Sequence, residues 1–168
     1  MAKSTSRRLT PGEIALARGA FGGKIAYGGV RISDGPGNNF AAMIAFARGN
    51  SAITLGSAIY FKDDCSPDFA QGGIAGRKTF MHEMMHVLQY RTLGAAPFLA
   101  RYFKEFAQAG LKPGAMYAYT PGATAFGGAM LEAQAEMIGD YSEALWRSDA
   151  GRLAILGKNL AGSGLYGL

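Results

Sequence analysis

The only two histidines of this chain stand four positions apart, in the run His82-Glu83-Met84-Met85-His86. On a helix a four-residue step advances about one turn, so both imidazoles leave the same face. Two rings at that spacing can bind one zinc ion, and Glu83 beside the first ring can then act as general base toward a metal-activated water. Read as an accident on an amphipathic helix, the pattern is expected on the order of once in a few hundred chains of this length. No other histidine is present, so none is spent on general surface use. These five residues therefore demand a helix that brings both rings to a third ligand supplied from elsewhere in the sequence.

Composition bounds the rest. A length of 168 residues suits one domain with a real core, and 49% hydrophobic with 17% charged residues suits a folded chain. The 25 glycines imply many turns and close backbone contacts. The net charge of +5 is moderate, and part of it comes from Met1-Ala2-Lys3-Ser4-Thr5-Ser6-Arg7-Arg8. Residues 1–9 read as a flexible basic tail ahead of a single domain over 10–168. No basic patch is interleaved with aromatics, so no nucleic-acid partner is expected. Cys65 is the one cysteine. It can form no intramolecular disulfide and reads as a free thiol without a role in a polar loop. No apolar run approaches the roughly 20 residues of a membrane span. No apolar stretch follows the N-terminal charges, so no signal peptide is expected. The protein is expected to be made in the cytoplasm, and any export would use a signal-peptide-independent secretion system.

Local signals predict an α+β fold: a mostly helical single domain with a small β-sheet or hairpin packed on the H-E-x-x-H helix. Thr10-Pro11-Gly12-Glu13 carries a capping box with proline at the first helical position. It opens a short helix ending near Gly22-Gly23. Residues 27–32 read as extended and 34–39 as a loop. The runs 52–55 and 58–61 are strand candidates joined by a Gly56-Ser57 hairpin turn. The motif helix is expected over about 77–92, with Phe80, Met84, Val87 and Leu88 facing the core and Gly94 as its stop. A further helix over 97–108 is expected to bury Phe98, Leu99, Tyr102, Phe103 and Phe106. Residues 116–119 read as extended, followed by a long helix over about 124–147 and a last one over 151–160.

A catalytic zinc site usually has three protein ligands and an open position. With no further histidine and one cysteine, the third ligand should be a carboxylate. The long late helix offers Glu132, Glu136 and Asp140, in steps of four on one stripe. Ala133, Ala135 and Gly139 are small enough to let that helix approach the motif helix closely. As a solvated face the three acids would repel one another mildly; a bound cation would reverse that.

Glu132-Ala133-Gln134-Ala135-Glu136 resembles the E-x-x-A-[DE] signature of gluzincin metallopeptidases. That resemblance implies a minimal gluzincin-like domain with Glu132 as third ligand and Glu136 orienting a histidine ring, or ligating in its place. The second acid of the signature is usually aspartate, so Glu136 is a departure. The metzincin pattern is excluded, because Gln89 and Thr92 stand where it needs glycine and histidine. The chain also resembles the Vgr-related or Rhs-associated bacterial proteins linked with type VI secretion. The similarity lies in Thr10-Pro11-Gly12-Glu13-Ile14-Ala15-Leu16-Ala17, in Ile59-Tyr60-Phe61-Lys62, in the motif helix through Gln89, and in residues 134–141. It implies a secreted effector or toxin, or a secretion-associated accessory.

Together these readings predict a zinc-dependent peptidase or amidase with Zn2+ on His82, His86 and Glu132. Tyr117 or Tyr119 would offer a phenol to the oxyanion; packing is the commoner use of such tyrosines. A peptide or peptidoglycan-like substrate is expected, with a secretion-apparatus component or an immunity protein as partner. The alternative is a non-catalytic adaptor or cargo module whose zinc is structural or vestigial.

Overall fold

The computed structural model describes residues 5–168. Its centre is α3, Ile74–Leu93, in which every residue from Phe80 to Tyr90 is buried. A helix covered on all sides belongs in the middle of a fold rather than on its surface. The expected stripe of Phe80, Met84, Val87 and Leu88 is buried, but so are the faces between those residues.

A four-stranded sheet lies against α3, in the order β1 (Ser6–Arg8), β2 (Arg31–Asp34), β4 (Ala58–Phe61), β3 (Ala52–Leu55). β1 and β2 are antiparallel, β2 and β4 parallel, β4 and β3 antiparallel. The crossover between β2 and β4 carries α2 (Phe40–Ala47) and β3. The β3–β4 hairpin turns at Gly56, whose φ of +66° suits glycine. β3 forms an edge of the sheet and packs on α3.

The other flank of α3 is covered by α6 (Leu131–Trp146), with α7 (Ala150–Leu160) behind it. α4 (Ala95–Gln108) follows α3 after Gly94, whose φ is +84°. The short α5 (Pro113–Met116) leads to the loop before α6. One buried cluster joins Leu9 near the start to Leu165 near the end, and a smaller one of Tyr90, Phe98 and Leu131 lies where α3, α4 and α6 meet. Among the described residues no helix is long and apolar enough to cross a membrane.

Several expectations need correction. Residues 6–8 are not a loose tail but pair with β2; residues 1–4 lie outside the described residues. The cause is Glu13, which is fully buried at the start of α1 (Pro11–Phe21). It closes the capping box with Thr10 and also accepts from Arg7 and from the Phe69 amide. Arg7 donates in addition to the Ser66 carbonyl, which ties the basic segment to the loop before α3. Residues 27–29 form a one-turn helix rather than strand. The stretch 40–47 is a helix that its apolar-all-round pattern hid; Asn39 caps it by accepting from the Ala42 amide. In α4 only Phe98 of the five expected apolar residues is buried. Residues 116–119 are not extended: Met116 ends α5 and the chain turns at Tyr117. The late helix begins at Leu131 rather than near 124, because Gly127-Gly128 lie in a 3-10 turn ahead of it.

Candidate metal centre

The Nε2 atoms of His82 and His86 lie 3.2 Å apart, and each lies 3.2 Å from Oε2 of Glu132. All three residues are buried. A tetrahedral zinc ion with ligands at about 2.0–2.1 Å spaces its ligand atoms by about 3.3 Å. The triangle therefore fits one such ion with little movement. The donor set, two imidazoles and a carboxylate, is also one that zinc takes.

The outer ring nitrogens have partners too. His86 Nδ1 lies 2.7 Å from Oε1 of Gln89. Gln89 donates its amide to the Leu131 carbonyl and to Gln134 Oε1, each at 3.0 Å. With its amide group so used, Gln89 Oε1 is an acceptor, which puts the His86 proton on Nδ1 and frees Nε2. His82 Nδ1 lies 3.4 Å from Oε2 of Glu136. Glu136 thus stands behind His82 rather than in the triangle. Asp140 is further from the rings: it accepts from Lys78, Arg152 and Tyr119. Lys78 bridges Glu136 and Asp140 at 2.7 and 2.8 Å.

The electrostatics show how strongly the cluster draws positive charge. Burial on its own would lower the His82 pKa, but hydrogen bonds to Glu132 and Glu136 outweigh it and push the ring up to about 10. His86 is raised as well, burial again being overcome, here by the charge of Glu132. Glu132 is held well below the ordinary carboxylate range despite its burial, because both rings face it. The acids around the two rings favour positive charge at this point, which a divalent cation held by the same three residues would also supply.

The position of Glu132 is set from outside its own helix. Met130 at the N-cap of α6 makes no side-chain cap. Glu105 of α4, buried and paired with Arg101, accepts the Leu131 amide at 2.7 Å instead. Gln134 donates to the carbonyls of Phe126 and Ala129, fixing the approach to α6. Further along, a Cβ built on Gly139 would lie 3.1 Å from Lys78 Cγ, so α3 and α6 meet where the small residue stands.

Glu83 is buried beside the triangle, and its Oε2 accepts from the Thr54 hydroxyl of β3 at 2.7 Å. A cavity of about 330 Å³ opens onto His82, Glu83, His86 and Glu132. Tyr117 lines it and stacks on His82 with ring centroids 5.7 Å apart. Burial and the nearby charge of Glu132 raise the Tyr117 pKa, so its phenol keeps its proton and remains a donor. Tyr119 is directed elsewhere: its hydroxyl donates to Asp140, and it does not line the cavity. Cys65 is half-buried, and burial raises its pKa, which leaves it a poor nucleophile. Sequence reasoning missed Thr54, Gln89 and Glu105. Gln89 was within reach, since it follows His86 by three residues on the same helical face. Thr54 and Glu105 carry no local signal.

Residues 15–94 match the eCIS core domain. The fold is similar to that of the effector domain of Pseudomonas aeruginosa VgrG2b, with a TM-score of 0.68 and 25% sequence identity. That similarity covers 94% of this chain and 83% of the other. No curated protein matches the chain.

Proposed function

We propose that the chain is a zinc-dependent hydrolase, a peptidase or amidase, acting as a secretion-system effector. The observation that carries this reading is the triangle of His82, His86 and Glu132, 3.2 Å on each side, with Glu83 beside it on the same open cavity. When bound by those three atoms, zinc would supply Lewis acidity, lowering the pKa of water toward about 7 and polarising a carbonyl. Glu83 accepts the proton that water loses as its oxygen adds to the carbonyl carbon. It then delivers that proton to the amide nitrogen as the C–N bond breaks. Thr54 holds Oε2 of Glu83, which leaves Oε1 for the transfer. Tyr117, protonated and stacked on His82, is the donor offered to the developing oxyanion.

An adaptor with a structural zinc explains less. Structural zinc sites are closed, whereas these residues line a cavity, and such a site has no use for Glu83. The test is metal content and amide hydrolysis for wild type and Glu83→Gln. Both should hold one zinc per chain, and only the wild type should hydrolyse. A variant that keeps its zinc and full activity would refute the mechanism. A zinc-free wild type that still binds a secretion component would favour the adaptor.

A further inference from the structure

The cavity over the triangle is walled by side chains that the hydrolytic steps do not use. Tyr90, Phe98 and Tyr102 form one side, and Ile53 and Leu55 of β3 another. Apart from the triad, Glu83 and the tyrosine hydroxyls, its polar side chains are few. Thr54 is already committed to Glu83, while Arg48 and Asn50 are exposed. A second observation concerns the rim. Ile44, Leu99, Phe103 and Tyr117 all line the cavity, yet they are 39%, 42%, 63% and 36% exposed. Large apolar side chains gathered at the mouth of a polar-floored cavity mark a binding site rather than incidental surface.

Resting on the hydrolase reading, we infer that the substrate is a polypeptide segment with a bulky apolar or aromatic side chain beside the scissile bond, seated in this cavity. Such a side chain displaces water from the aromatic wall and covers the rim. Peptidoglycan stem peptides offer mainly methyl groups and charged side chains. A methyl group leaves most of a 330 Å³ space wet. A charged side chain would lose hydration against the aromatic wall; of the charged groups that line the cavity, Glu83 and Glu132 belong to the hydrolytic site and Arg48 is exposed.

Two measurements test this. In the first, zinc-loaded wild type is given fluorogenic peptides of one Gly-Ser-Ala frame, with a single position set to Phe, Leu, Ala, Asp or Lys, and separately purified peptidoglycan sacculi. Cleavage beside Phe or Leu is expected with kcat/KM at least about tenfold above Ala, with no new amines from sacculi. Equal cleavage of the Ala and Asp peptides, or fragments released from sacculi, overturns the inference. In the second, labelled Phe and Ala peptides are bound to zinc-loaded Glu83→Gln and followed by fluorescence anisotropy. The Phe peptide should bind at least about tenfold tighter, and adding Phe103→Ser on the exposed rim should weaken it about fivefold. Preferential binding of Phe without hydrolysis by wild type would remove the hydrolase reading and keep the ligand class. Hydrolysis without side-chain preference would do the reverse, and neither hydrolysis nor binding would remove both.

Discussion

The Thr54 hydroxyl donates to Oε2 of Glu83 at 2.7 Å and lies 3.2 Å from the Glu83 carbonyl, so an edge strand fixes the orientation of a carboxylate on the central helix. Thr54→Val keeps the shape of the side chain and removes the donor. The variant should retain its zinc while kcat falls about tenfold or more, with KM little changed, because a misdirected base costs rate rather than binding. Thr54→Ser should restore most of the loss. A Val variant as active as wild type would show that Glu83 needs no such anchor.

Glu132 and Asp140 stand on one helix two turns apart and have different company. Glu132 faces both rings, whereas Asp140 is taken up by Lys78, Arg152 and Tyr119. Glu132→Ala should lower zinc affinity by about a hundredfold or more, and Asp140→Ala by less than about tenfold. Competition with a chromophoric chelator measures both. The reverse order would move the metal site along the helix.

Gln89 is the acceptor behind His86, at 2.7 Å from Nδ1. Gln89→Leu should weaken zinc binding roughly 10- to 100-fold by freeing the ring, whereas Gln89→Glu keeps an acceptor and should bind nearly as well. Since Gln89 also spans to Leu131 and Gln134, the Leu variant should melt at lower temperature as well. Zinc titration alongside thermal unfolding separates the two effects.

Glu136, like Glu132, contributes to the acid limit of the metal-free protein. The hydrogen bond from His82, with that from Lys78, outweighs burial and holds its pKa at about 2, against an ordinary 4.5. The native state thus binds fewer protons than the unfolded chain between those values, so stability falls as pH drops through that window. Its contribution is complete above about pH 4.5 and gone below about 2. Urea unfolding in chelator should show Glu136→Gln less stable near neutral pH by on the order of 1–2 kcal/mol after solvent screening. The difference from wild type should close as pH falls toward 2. A constant difference across that range would mean that the carboxylate charge plays no part.

Much of this arrangement is legible in short stretches of sequence. The capping box at Thr10 and Glu13, the Gly56-Ser57 hairpin and the stop at Gly94 are local devices, each decided by a few neighbouring residues. What local patterns misjudged lies where distant parts of the chain meet. Arg7 and Arg8 looked like a solvated tail until the buried Glu13 and the edge of β2 gave them partners. Leu99 and Phe103 looked like core because apolar spacing reports a face, not what covers it. Tyr119 looked equivalent to Tyr117 until Asp140 drew its hydroxyl away from the cavity.

The sequence by itself determined that His82 and His86 share one helical face with Glu83 next to the first ring, because helical geometry converts a four-residue spacing into proximity. It also favoured a carboxylate as third donor, since no other histidine and a single cysteine are present. Only the tertiary structure decided which acid meets the rings, which hydroxyl anchors Glu83, and that the cavity above them is apolar. Those relations join α3 to α6, β3 and α4 across separations of tens of residues. Their geometry follows from how helices and sheet pack around a common core, and no local stretch of chain encodes that.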